Sequence, residues 1–552
     1  VTSPSSSTPS LVELVDRVRA GQPVDDGAFD TYCESPNQAE RFLANYARAT
    51  VSLRHGRELL MESLRAVDFA DAAVLKQYIE ISNYVGQREQ NAWAIFKYAK
   101  AVTQRDWPAA LGAMQDAIRL DQASGGAMIG QREHWTDVAG EYEKAAKMLG
   151  KRNAKRKPTG SEQKLTIAYL TSSVVDDTPA ATMLGAIGRN LDVQKFAMKV
   201  YITDAPSREA ATPFASFSPM EPSGERGLNT LTALRNRGIE SWTLPGGADV
   251  VRQARMLVER IACDGADVVF VDASLADAVA WIAIANRAAP VQIAFVRKRP
   301  IGATGIDHVV WLDDARRELD LSFWQQLGVK NTAMRQGIDT DMRAAPLDRS
   351  AIGVPADAQI LMTYTHRPEQ TIGRTFVDTI CAILQANPQA VYLLAGEGEF
   401  GQAKKLFDAA GMGKRVGFTG SRKDLGAFLR VADVYLAEFP TTDRAGLMQA
   451  AAVARPVVTM ASRDPSSDFR LLPELAQVAG GSVSTYVARV NQLLRDPTAR
   501  ATLGQQLRTF AIERFSLART ATDLLTLASH LKQDQERRDA QATESPRVRK
   551  VA

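Results

Sequence analysis

Short apolar runs alternate with amphipathic stretches between residues 165 and 460, twice over, and this alternation limits the possible folds more than any other feature. In the first set, Leu165–Leu170, Phe196–Ile202, Asp267–Val271, Val291–Phe295 and His308–Leu312 read as buried strands. Helical patterns at Ala180–Leu191 and Ala276–Asn286 lie between them. In the second set the predicted strands are Gln359–Tyr364, Ala390–Ala395, Arg415–Thr419, Val434–Ala437 and Pro456–Met460. Helices are predicted at Thr375–Ala386, Gln402–Ala410, Leu425–Val431 and Gly446–Val453. Strands that alternate with helices must pair in parallel through crossover connections, so each set predicts one doubly wound sheet. Two such units joined near Gly337 to Gly353 make a cleft, and ligands of open α/β sheets sit beyond the carboxyl ends of the strands.

The segment before the first strand reads differently. Residues 11–150 carry apolar residues at three- and four-residue spacing, as in Arg41–Ala49, Glu58–Ala66, Ala73–Ser82 and Trp93–Val102, with no convincing strand. Trp107–Asp121 resembles the second helix of a tetratricopeptide repeat, with Ala110 and Ala117 at its small packing positions. No 34-residue period recurs, so an irregular all-helical domain is expected rather than a solenoid. The basic run in 151–163 reads as a linker. Residues 164–345 and 346–530 form the two α/β domains, and the ends, 1–10 and 531–552, are expected to be disordered.

At 552 residues the chain has room for three or four domains at about 150 residues each. A net charge of +4 does not point to nucleic acid as a partner. Its three cysteines, Cys33, Cys263 and Cys381, are far apart and support neither a disulfide framework nor a zinc site. The last two lie in apolar helical runs and are expected in the core. No signal peptide or run of 18 apolar residues is present, so a cytoplasmic protein without a transmembrane segment is expected.

The second unit carries the more informative motifs. Gly396 and Gly398 follow a strand directly and lead into a helix, which lets the backbone approach a bound group; a plain strand-to-helix turn explains them equally. Further on, a strand is followed by the polar loop 441–446, an Ala-rich helix and a Pro-Val-Val strand. Such a helix start turns free N–H groups toward an anion.

Taken together, Ile167–Ser173, Asp264–Asp272, Arg287–Gln292, Pro300–Asp307, Phe439-Pro and Arg455-Pro-Val-Val-Thr resemble segments of glycosyltransferase family 41, which includes the O-GlcNAc transferase, its bacterial relatives and the adhesin N-glucosyltransferases. Asp264-Gly-Ala-Asp-Val-Val-Phe-Val-Asp272 is similar to that family's Asp-Gly-Ile-Asp-Ile-Leu-Val-Asp stretch. Arg287-Ala-Ala-Pro-Val-Gln292 resembles its Arg-Pro-Ala-Pro-Val-Gln segment, and Pro300–Asp307 its Pro-Gly-Thr-Ser/Thr-Gly loop. Ile167–Ser173 resembles its opening strand, and Phe439-Pro and Arg455-Pro-Val-Val-Thr its donor-site frame. The likeness spans roughly Leu165 to Leu525. It implies a GT-B fold, in which two Rossmann-like domains face each other behind an all-α domain. It also implies inverting transfer of a sugar from a nucleotide sugar, a UDP-sugar first of all, to a protein acceptor presented by the helical domain, with no cofactor and no tightly held metal.

The departures fall on the family's functional positions. Thr178 stands where the first loop has a histidine, and Leu275-Ala-Asp277 replaces a Gly-His-Thr. The family's lysine at the leaving diphosphate falls near Thr365-His-Arg367. On this resemblance Arg367 and Asp177 are the catalytic candidates, as the cation and the base. His366, Arg367, Gly396, Gly398, Thr441, Thr442, Arg444 and Gly446 would bind the donor, and Asp176, Gly302 and Thr304 would lie on the acceptor side. The Glu-x7-Glu pattern of retaining enzymes is not formed, because Glu438 pairs with Gly446. An alternative reading is a GT-B protein that has lost catalysis and serves as a binding subunit. A third is a lipid or polysaccharide glycosyltransferase, for which the first α/β unit shows no clear basic amphipathic face.

Overall fold

The computed structural model describes residues 9–20, 22–51, 75–76, 78–79, 91–123, 132–150, 164–176, 178–203, 228–245, 249–296, 305–312, 324–325, 328–334, 337–338, 347–365, 368–396, 398–420, 425–439, 444–460, 479–480 and 482–548. It contains two parallel sheets. The first, in the order β3-β2-β1-β4-β5-β6-β7, comprises β1 Leu165–Thr171, β2 Phe196–Ile202, β3 Glu240–Thr243, β4 Val268–Asp272, β5 Val291–Val296, β6 His308–Trp311 and β7 Lys330–Ala333. The second runs β10-β9-β8-β11-β12-β13, from β8 Gln359–Thr365, β9 Ala390–Gly396, β10 Val416–Gly420, β11 Val434–Leu436, β12 Val457–Met460 and β13 Ala479–Gly480.

The strands that the apolar pattern misses lie at sheet edges. β3 (Glu-Ser-Trp-Thr) and β7 (Lys-Asn-Thr-Ala) have no fully buried residue, because an edge strand has a neighbour on one side only. Their register is clear all the same, with Lys199 opposite Glu240 and Trp311 opposite Ala333. The central strands read as continuous apolar runs because helices cover both faces.

Among the described residues, 9–150 are helical without a strand. Helices Leu11–Arg19 and Gln38–Val51 close on Phe29, and Arg48 reaches Asp26 and Asp30 at 2.9 Å. Asn91–Val102 and Trp107–Ala123 form a hairpin in which Ala110 and Ala117 are buried, as their spacing requires. Glu58–Ala66 lies outside the described residues. The helical domain is not a separate body. Helix Ala278–Ala285 is apolar on every side and buried from Ala278 through Ile284, as a helix must be when it lies between two layers. One side covers the first sheet; the other meets helix Arg132–Met148 in a continuous core. Tyr142 Oη donates to the Leu275 carbonyl at 2.8 Å, and Asn286 Nδ2 donates to the Ala146 carbonyl at 3.0 Å.

The end of the chain corrects the expectation of a disordered tail at 531–552. Helix Leu517–Val548 runs through most of that segment. Leu517, Ala521, Leu524, Leu525, Ala528 and Leu531 pack on the first domain against helix Pro179–Asn190 and the sheet. Lys532 is buried with its Nζ 3.5 Å from Asp267 Oδ1. The tail is charged and apolar-poor, and it continues a helix whose apolar stripe, Leu517 to Leu531, packs on the first domain. The two interdomain crossings also pair with each other: Ile338 N donates to the Phe515 carbonyl at 2.7 Å and Leu517 N to the Ile338 carbonyl at 3.1 Å. Cys381 is buried, but Cys263 ends its helix and is exposed, contrary to the core position expected for both.

Candidate functional site

In each sheet the strand order reverses once, between β1 and β4 in the first and between β8 and β11 in the second. At such a reversal the flanking connections leave in opposite directions and open a crevice at the carboxyl ends.

The second crevice is built from tyrosines that sequence patterning did not single out. Tyr435 Oη donates to the Tyr364 carbonyl at 3.0 Å and accepts from the Tyr364 N–H at 3.3 Å, tying β11 to β8. Thr363 Oγ1 donates to the Leu436 carbonyl at 2.7 Å across the same pair. Helix Arg444–Ala452 starts directly over this point. A Cβ on Gly446 would stand 2.5 Å from Tyr435 Oη and 2.9 Å from the Tyr364 carbonyl, so only glycine permits the contact. The helix therefore begins at the strand ends, the place where a helix start can face an anion. Substituting Gly446 by alanine is expected to cost about 1–3 kcal/mol by overpacking. Denaturant unfolding beside nucleotide titration checks this; an unchanged midpoint would mean the helix can shift freely.

The glycines after β9 have a related role. Gly396 has φ +150°, and a Cβ there would run into the Thr365 carbonyl. Gly398 has φ +100°, a left-handed value, and a Cβ would stand 2.6 Å from Glu369 Oε2. Glu399 N donates to that Oε2 at 3.4 Å. The loops after β8 and β9 are thus held together, with Thr365 Oγ1 2.9 Å from Thr371 Oγ1. Glu438, after β11, is fully buried. Burial, against a lowering hydrogen bond with Thr363 and with a smaller push from Glu438's charge, raises the Tyr392 phenol well above its ordinary range. His366, Arg367, Thr441 and Thr442 lie outside the described residues, and Arg444 is described only as the first residue of its helix.

In the first crevice, Thr178, at the position of one family histidine, and Asp277, next to Ala276 at the position of the other, both cap helices. Thr178 caps helix Pro179–Asn190: its Oγ1 accepts from Ala181 N at 3.3 Å and donates to the Val175 carbonyl at 2.7 Å. Asp277 caps Ala278–Ala285, with Oδ1 accepting from Ala280 N at 3.0 Å and Oδ2 bonded to Thr203 Oγ1. Asp176, expected on the acceptor side, caps a distant helix, Leu228–Arg235. Its carboxylate accepts from Asn229 N and Thr230 N at 3.0 Å and from Thr230 Oγ1 at 2.5 Å. Burial alone would raise its pKa, but these hydrogen bonds outweigh it and hold the carboxyl below its usual range, which makes Asp176 a weak base. Asp177, Gly302 and Thr304 lie outside the described residues.

The first domain's most recognisable motifs turn out to form a structural lock. Arg287, held at φ +61°, donates to Asp307 at 2.9 Å and to the Gly305 carbonyl at 2.7 Å. Gln292 N donates to Asp307 Oδ2 at 2.8 Å, and Gln292 Nε2 to the Ile284 carbonyl at 2.8 Å. These residues latch the loop before β6 to β5. Among the described residues, no cluster of three or more His, Cys, Asp or Glu is arranged to hold a metal, and no helix is long and apolar enough to cross a membrane.

Comparison with known proteins places chemistry on this geometry. Residues 360–496 match the family described as "Glycosyl transferases group 1", and the match begins in β8 and takes in the whole second crevice. No curated protein matches the sequence. The chain is similar in structure to an O-GlcNAc transferase mutant from Thermobaculum terrenum, at 17% identity and TM-score 0.50, over 97% of this chain and 99% of that one. A Rickettsia africae glycosyltransferase covers 67% of the chain, with 98% of its own length, at 11% identity and TM-score 0.49. Anabaena HepE in complex with UDP covers 66%, with 100% of its own length, at 16% identity and TM-score 0.46. The fold is thus GT-B with a helical domain in front, and the chain is a glycosyltransferase.

Proposed function

We propose that this glycosyltransferase moves a sugar from a nucleotide sugar, with a UDP-sugar as the first donor to test, onto a protein side chain with inversion, as the resemblance to family 41 implies. The observation that carries the reading is the start of helix Arg444–Ala452, pinned by Gly446 over the β8/β11 reversal inside the matched segment. A donor diphosphate placed there would meet the helix N–H groups, with Arg367 or Arg444 supplying a cation. Breaking the bond between sugar and diphosphate leaves negative charge on the departing oxygen, and preorganised donors favour that state most. A protein acceptor suits the placement of the helical domain. Tyr142 contacts the connection after β4, and burial followed by the charge of Asp277 raises its phenol pKa, so this domain borders the carboxyl end of the first sheet.

The test is a thermal-shift and calorimetric screen of UDP, GDP, ADP and dTDP with their sugars. One nucleotide is expected to stabilise the fold, by about 2.7 kcal/mol at a concentration a hundredfold above its Kd. If none does, the donor-site reading fails. Transfer to peptides, followed by mass and by the anomeric configuration of the product, then tests acceptor and stereochemistry.

A further inference from the structure

At the amino ends of β5, β6 and β7, the first sheet and the closing helix Leu517–Val548 border a cavity of about 200 Å³ that glycosyl transfer at the carboxyl ends leaves unused. Its apolar wall comes from Val291, the first residue of β5, from Ile306, two residues before β6, and from Leu531 of the helix, all buried. Two cations line it from different elements: Lys330, the first residue of β7, and Arg538 of the helix, both exposed. Arg538 Nε donates to the Asp534 carbonyl at 3.3 Å, and among the described residues no carboxylate pairs with Arg538 or with Lys330. Asp307, also on the wall, is already matched by Arg287 at 2.9 Å and accepts from Gln292 N at 2.8 Å. The two positive charges are therefore not offset by the wall itself. Their effect reaches His308, opposite Lys330 in register: burial first and the Lys330 charge second push its imidazole down to about 4, with Asp307 opposing.

We propose that this cavity is a binding site for a small phosphomonoester, with the phosphate held between Lys330 and Arg538 and the apolar part against Val291, Ile306 and Leu531. A phosphomonoester carries close to two negative charges at pH 7, which two cations balance. A guanidinium presents a planar fork to oxyanion oxygens, and an ammonium adds a point charge. The volume lies below the roughly 300 Å³ at which drug-sized sites begin, so the apolar part is small. Bound there, the ligand ties edge strand β7 to the last turns of the closing helix, at the end of the sheet away from the crevice. The site does not depend on the glycosyl-transfer reading.

Phenyl phosphate, inorganic phosphate and benzoate are titrated calorimetrically into the full chain at constant ionic strength, with Lys330→Gln and Arg538→Gln beside the wild type. Phenyl phosphate is expected to bind most tightly. Inorganic phosphate, which lacks the apolar contact, and benzoate, which carries one charge, are expected to bind more weakly. Each substitution is expected to weaken phenyl phosphate about tenfold. Because both side chains are exposed, neither should change the melting temperature of the free chain. Hydrogen exchange in the closing helix beyond Lys532 should slow when phenyl phosphate binds the wild type, and not when both cations are replaced. Absence of phenyl phosphate binding overturns the proposal. So does binding of wild-type strength in both variants, which places the anion elsewhere, the donor crevice included. Benzoate binding as tightly as phenyl phosphate marks a merely apolar pocket and overturns the phosphate assignment.

Discussion

Replacing Arg367 with alanine is expected to leave the fold intact and donor binding only modestly weakened, while turnover falls by about 10²- to 10³-fold. Position 367 follows the end of β8 at Thr365 and precedes the short helix Pro368–Thr371. The strand end before it is fixed by Tyr435, and the helix after it by the contact between Glu369 and Glu399. On the proposed function, a cation following this strand end would serve where the diphosphate leaves. Because charge builds only as the bond breaks, the loss should appear in kcat more than in KM. Steady-state kinetics with a thermal-shift control decides it. If Arg367→Ala turns over like the wild type, the cation comes from elsewhere, and Arg444, at the start of the donor-side helix, is the next residue to replace.

Trp281→Ala is expected to be among the most damaging substitutions to stability, costing about 3–5 kcal/mol. The indole is fully buried in the core shared by the helical domain and the first sheet, and its Nε1 donates to the Ser274 carbonyl at 2.8 Å. Since the core is continuous, the helical domain and the first α/β domain should unfold in one transition in the wild type. The variant should lower that whole transition rather than release the helices alone. Denaturant unfolding read by tryptophan fluorescence and by far-UV circular dichroism checks this. An early, separate melting of the helical domain in the wild type would show that the domains are only loosely docked, and would weaken the case for a fixed acceptor platform.

The alternation of apolar runs already contained the two parallel sheets, because a strand covered on both faces must be apolar along its length. Phe196–Ile202 has the predicted bounds, and most other predicted strands agree within one residue. The all-apolar helix Ala278–Ala285 carried a further signal in its composition, since only a second covering layer explains it. Edge strands β3 and β7 were illegible for the converse reason, being half-solvated and so free to be polar. The last turns of the closing helix were read as a disordered tail because residues 532–548 are charged and apolar-poor; the helix is anchored upstream, where Leu517 to Leu531 pack on a domain more than 150 residues earlier in the chain. Of the candidate site, sequence located the glycines, whose missing side chains are dictated by local geometry at Gly396 and Gly446. It did not show which carboxylates cap helices. Asp176, Asp272 and Asp277 are the same residue type in similar loops or strand ends. Each is engaged by a partner far off in sequence, 54, 103 and 74 positions away respectively. Only tertiary structure brings those partners together.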